Sequence, residues 1–129
     1  MILAIADDEV LFRKGIISLL SKFEDISFAF EAGSGKEILE QLATVEAHPD
    51  ILLLDLNMPD MNGIETAKVI QEKYPDLKFV VLSTYYSKVF ILNLLELGAA
   101  AYLPKHTSPE EMEKSLREVM EKGFSYNAK

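Results

Sequence analysis

Short apolar runs alternate with amphipathic stretches along the whole chain. The runs are Ile2–Ala6, residues 26–32, Ile51–Asp55, Lys78–Ser83 and Ala101–Pro104. Continuous runs of this kind suit strands covered on both faces, as in a parallel sheet. Between them the period becomes helical. Phe12, Ile16, Leu19, Leu20 and Phe23 fall at i, i+4, i+7, i+8 and i+11, and Met112, Leu116, Val119 and Met120 form a second stripe near the C-terminal end. Ser34 with Glu37, Asn62 with Glu65, and Ser108 with Pro109 and Glu111 each read as an N-cap followed by an acid in the first turn. Tyr74-Pro75-Asp76 and Gly98 close two of the helices. Strand–helix repeated five times predicts a doubly wound α/β sandwich. Residues 123–129 read as a helix end running into a tail.

Composition narrows the function classes. With 129 residues, 49% of them apolar, the chain suits one domain with a real core. Thirteen basic against 21 acidic residues give a net charge of −8, a surface that nucleic acid or an anionic membrane would repel. The absence of cysteine excludes disulfides, thiol catalysis and thiolate metal sites, and His48 and His106 are too far apart to suggest zinc. No apolar run reaches the roughly 18 residues of a membrane span, and the N-terminus lacks a basic signal region. A cytoplasmic location is therefore expected. Gly33-Ser34-Gly35-Lys36 is not a phosphate-binding loop, because Phe30 and Glu37 stand where glycine and Ser or Thr are needed. His48 reads as an exposed turn residue.

Open parallel sheets bind ligands beyond the carboxyl ends of their strands. Asp7 and Asp8 follow the first strand, Asp55 ends the third, Ser83 ends the fourth and Lys105 follows the fifth. Clustered carboxylates either hold a proton or bind a cation. An oxygen-only ligand set favours a hard ion, magnesium first and then manganese or calcium. Acids, a metal, a hydroxyl and a lysine are the parts needed for phosphoryl transfer.

Asp7-Asp8-Glu9, the run Asp55-Leu56-Asn57-Met58-Pro59 with Gly63 downstream, Ser83-Thr84, and Gly98-Ala99 through Tyr102-Leu103-Pro104-Lys105 together resemble the receiver domain of bacterial two-component response regulators. Residues 11–16 and 102–105 are most similar to its NarL/FixJ-like branch. The resemblance covers essentially the whole chain. It implies a flavodoxin-like fold with strand order 2-1-3-4-5, a receiver over residues 1–122, and a tail at 123–129 beginning a linker to an output domain absent from this chain. It further implies that Asp55 accepts a phosphoryl group from a sensor histidine kinase and that the protein slowly hydrolyses it. Such a domain is not a conventional enzyme, although it catalyses its own phosphorylation and dephosphorylation. Magnesium, or manganese in its place, would be held by Asp8, Asp55 and the carbonyl of Asn57, with Asp7 acting through water. Lys105 would pair with Asp55 and then with the phosphoryl group, Ser83 would hydrogen-bond a phosphoryl oxygen, and the Thr84 backbone would line the pocket. Tyr102 would rotate toward Ser83 and remodel the face made by the fourth helix, fifth strand and fifth helix.

Two departures from the family pattern carry expectations of their own. His106 follows Lys105 where proline is frequent and a cis bond common; without proline that bond costs about 3 kcal/mol, so the entry to the last helix is expected to differ. Thr84 stands where a smaller residue is usual and is expected to crowd the pocket. In the helix over residues 87–97, Ile91, Leu92 and Leu95 are expected to face the sheet. That leaves Phe90, Leu94 and Leu97 as a partly exposed stripe for a homodimer or another partner. DNA would be reached only through the absent helix-turn-helix domain, and no membrane contact is expected. Two alternatives stand beside this reading. One is an unphosphorylated pseudo-receiver acting as an interaction module. The other is a haloacid-dehalogenase-like phosphatase, disfavoured because Asn57 replaces its second acid and the chain leaves no room for a cap.

Overall fold

The computed structural model describes residues 1–58, 62–84 and 88–125, with the backbone alone at residue 90. Its strands are β1 (Ile2–Ala6), β2 (Ser27–Ala32), β3 (Ile51–Asp55), β4 (Lys78–Ser83) and β5 (Ala101–Pro104). The helices alternating with them are α1 (Val10–Leu20), α2 (Gly35–Thr44), α3 (Gly63–Lys73), α4 (Lys88–Glu96) and α5 (Pro109–Lys122). The strands form one parallel sheet in the order β2-β1-β3-β4-β5, as expected. Pro59, Tyr85, Ser87 and the end of the tail, residues 126–129, lie outside the described residues.

Burial on both faces explains why the strands are apolar without alternation. Ala4, Ala6, Leu52, Leu54, Phe79 and Val81 point to a core shared with Ile38 and Leu42 of α2, Ala67 and Ile70 of α3, and Leu94 of α4. Their neighbours Leu3, Ile5, Ile51, Leu53, Val80 and Leu82 point the other way, onto Ile16 and Leu20 of α1 and Met112, Leu116 and Val119 of α5. Leu19 and Met120 lie at the margins of their stripes and are exposed, and Phe23 falls just beyond α1.

Local chemistry sets the helix starts. The side chains of Ser34, Asn62 and Ser108 accept hydrogen bonds from the backbone N–H groups of Glu37, Glu65 and Glu111, satisfying donors that a helix start leaves unpaired. Gly123 ends α5 with φ of 90°. Two residues later Ser125 donates its N–H to the carbonyl of Ala100 at 2.8 Å and bridges in parallel to Ala101. The chain thus folds back beside the amino-terminal end of β5.

The expected orientation of α4 is wrong. Leu94 is 1% exposed and belongs to the core, and Leu97 packs against it. Leu92, expected to face the sheet, is 52% exposed, and Val89 is 70% exposed. The side chain of Phe90 lies outside the described residues. Apolar residues surround this helix, so their spacing leaves its rotation undetermined.

Candidate functional site

Parallel pairing brings the site together. β1 and β3 are neighbours with Ala6 opposite Leu54, so the next residues, Asp7 and Asp55, emerge side by side. Ser83 ends β4 opposite Pro104 of β5, and its carbonyl accepts the N–H of Lys105 at 2.9 Å. Carboxylate oxygens of Asp7, Asp8 and Asp55 all lie within 4.8 Å of one another. Asp7 and Asp55 are buried, whereas Asp8 is exposed.

Lys105 reaches into this cluster. Its Nζ lies 2.9 Å from Asp7 Oδ2, 3.5 Å from Asp55 Oδ1 and 2.5 Å from Glu9 Oε1. The ammonium also stands 4.7 Å from the centroid of the Phe12 ring, a cation–π distance. Backbone groups hold the acids in place. Asp7 Oδ1 accepts the N–H of Glu9 at 2.8 Å, and Asp55 Oδ1 accepts that of Asn57 at 3.3 Å. Arg13 donates through Nη1 to the Asp7 carbonyl at 2.6 Å while its Nε pairs with Glu31 at 2.7 Å.

Burial, and then the neighbouring charge of Asp7, push the Asp55 carboxyl up to about 7; the Lys105 charge and the Asn57 N–H pull against them. Burial alone would lower the Lys105 ammonium, but Glu9, Asp7 and Asp55 outweigh it and hold the group above its ordinary value. Two buried carboxylate oxygens, Asp7 Oδ2 and Asp55 Oδ2, accept no conventional hydrogen bond from the described residues; the Lys105 ammonium pairs with the first at 2.9 Å and leaves Asp55 Oδ2 as the orphan. Orphaned carboxylate oxygens are costly without a partner. Three clustered carboxylates with one such orphan, and no nitrogen or sulfur ligand among them, suit a hard divalent cation.

The other expected site residues divide. Asn57 is exposed beside Asp55, and Ser83 is buried at its strand end. Thr84 is exposed. Tyr102 is half-buried and packs against the core on the α2, α3 and α4 side. The Lys105–His106 peptide is trans, and Thr107 turns the chain by donating both its N–H and its hydroxyl to the Pro104 carbonyl. His48 is exposed, as expected; its Nε2 lies 3.2 Å from the Leu42 carbonyl and its ring meets Tyr74 edge-on.

Sequence reasoning assigned no role to Glu9, Phe12 or Arg13 in the site. The adjacency of Glu9 to the Asp7-Asp8 pair was the available signal. It also left the need for Gly63 unexplained. A Cβ at Gly63 would stand 2.6 Å from both the Asp55 carbonyl oxygen and Leu56 Cα, so α3 can start against the end of β3 only without a side chain there.

Residues 3–117 match the family model of the response regulator receiver domain. The chain belongs to that family. Among curated relatives, this receiver is 37% identical over 115 residues to the uncharacterized transcriptional regulatory protein YhcZ of Bacillus subtilis, covering 89% of this chain and 53% of that protein. It is 36% identical over 113 residues to the nitrate/nitrite response regulator protein NarL of Escherichia coli, covering 88% and 51%. The chain therefore spans about half the length of the curated relatives it matches. Among solved structures, the RcsB response regulator of Salmonella typhimurium superposes with a TM-score of 0.87 at 26% identity, covering all of this chain and 63% of that one. The receiver is thus kin to transcriptional regulators of the NarL/FixJ-like branch. Among its described residues, no helix is long and apolar enough to cross a membrane.

Proposed function

We propose that this receiver is a cytoplasmic switch that takes a phosphoryl group on Asp55 from a sensor histidine kinase and controls transcription through an output domain of the helix-turn-helix type. Residues 1–122 form the switch and residues 123–129 begin the connection to that output domain. The observation that carries the reading is the grouping of Asp7, Asp8 and Asp55 at one sheet edge with Lys105 reaching Asp7 and Asp55.

A carboxylate oxygen of Asp55 is the nucleophile: it forms a bond to phosphorus as the phosphorus–nitrogen bond of the kinase's phosphohistidine, or the phosphorus–oxygen bond of acetyl phosphate, breaks and the leaving nitrogen or oxygen keeps the bonding electrons. Asp8, Asp55 and the Asn57 carbonyl would hold magnesium, or manganese in its place, with Asp7 acting through water. The ion supplies positive charge that lets an anionic donor approach an ionised carboxylate. Lys105 pairs with a phosphoryl oxygen, Ser83 donates its hydroxyl to another, and the Thr84 backbone lines the pocket. Inward movement at Ser83 is coupled to rotation of Tyr102, which alters the face of α4, β5 and α5 that partners and a second receiver would read.

Intact-mass spectrometry after incubation with acetyl phosphate and magnesium tests this function. One phosphoryl mass is expected, absent without magnesium and absent in Asp55→Asn. Its absence from the wild-type protein, together with failure to bind magnesium, would identify a pseudo-receiver instead.

A further inference from the structure

Lys105 is nearer to Glu9 than to either buried acid, and Glu9 is placed for that contact. Glu9 occupies the N-cap position of α1, where the shorter Ser, Thr, Asp and Asn side chains usually accept from the first helical N–H groups, and its own side chain makes no cap bond. Its carboxylate is turned onto the lysine, 2.5 Å from Nζ. Its backbone is fixed by donating to Asp7 Oδ1, so the same aspartate anchors Glu9 and pairs with Lys105. Lys105 is 8% exposed and Glu9 59%, which places the contact at the mouth of the site, with the lysine drawn outward from Asp55 at 3.5 Å.

We propose that Glu9 is a positioning residue: a retaining counter-ion that holds Lys105 off Asp55 and competes with an incoming phosphoryl group for it. The inference rests on the switch reading above. Two effects of opposite sign follow. While Glu9 holds the ammonium, less of its charge falls on Asp55, and the acids stay available to a divalent cation. Once a phosphoryl group is present, Lys105 must leave Glu9 to reach it, so Glu9 lowers phosphoryl affinity. Exposure of the Glu9 carboxylate makes the contact breakable, as a reversible hold requires.

The test measures magnesium affinity, and the affinity for beryllofluoride as a phosphoryl mimic at saturating magnesium, by calorimetry on the whole chain. Glu9→Gln should weaken magnesium binding and tighten beryllofluoride binding, each by about threefold to tenfold, the range of one charge-assisted hydrogen bond partly exposed to water. A loss of local structure would weaken both. Any carboxylate beside the site also acts through its bare charge, so magnesium affinity is compared again in a Lys105→Met background, with Lys105→Gln as the substitute if that variant does not fold. Without the lysine, Glu9→Gln should change magnesium affinity by less than about twofold. An undiminished effect there, or no effect in the wild-type background, overturns the proposal. Failure of the wild-type protein to bind either probe, or beryllofluoride binding that survives Asp55→Asn, would overturn the switch reading itself and this inference with it.

Discussion

Gly63 and Glu9 show why single residues at this site carry more than their local propensity. An added methyl at Gly63 would meet backbone atoms on both Asp55 and Leu56, neither of which can turn aside as a side chain end could. Gly63→Ala is therefore expected to destabilise the fold by about 1–3 kcal/mol, typical of overpacking. Urea denaturation would measure the loss, and the displaced strand end should weaken magnesium binding too. Glu9 escaped the sequence reading for a different reason. Its partner is 96 residues away, and only folding reveals that the cap position is chemically occupied elsewhere. By contrast Asp7, Asp8, Asp55, Ser83 and Lys105 were legible. Each stands at the carboxyl end of a readable strand, and parallel strands align those ends.

Among the elements, α4 marks the boundary of what patterning can tell. Ser34, Asn62 and Ser108 are capping residues whose meaning is local, so the starts of α2, α3 and α5 were read correctly. In α4, Val89, Ile91, Leu92, Leu94 and Leu95 spread around most of the helix, and the rotation is decided by packing against the sheet instead. Leu94→Ala should cost about 2–5 kcal/mol, as for other buried leucines. Leu92→Ala should remain within about 0.5 kcal/mol of wild type. Thermal unfolding of the two variants compares them directly; equal losses would mean that the helix sits in another rotation. Any partner surface on α4 accordingly includes Val89 and Leu92, not Leu94.

For the molecule as a whole, the site opposes stability. Burial and the charge of Asp7 push the Asp55 carboxyl from its ordinary 3.8 up to about 7 in the folded chain, so the native state holds the extra proton between those values. Stability from this group is fully present below about pH 4 and is lost as pH rises through about 7, amounting to about 4 kcal/mol. Asp55→Asn should remove that slope, leaving the variant more stable than wild type at pH 7 and nearly equal to it at pH 4. Urea midpoints across this range would check it, and magnesium at pH 7 should restore much of the difference. Glu31, lowered by its hydrogen bonds from Arg13 and Lys14, has the opposite sign and loses its contribution as pH falls.

The return of Ser125 to β5 has a mechanical consequence. That strand begins at Ala101, beside the returning chain, and runs to Pro104, immediately before Lys105. At about 3.3 Å per residue the two ends lie on the order of 10 Å apart. Ser125 therefore stands at the rear of the sheet, at the opposite end of β5 from the acidic pocket. A pull applied at Ser125 would be borne first by its main-chain hydrogen bond to Ala100, with β5 as the strut between that load and the lysine.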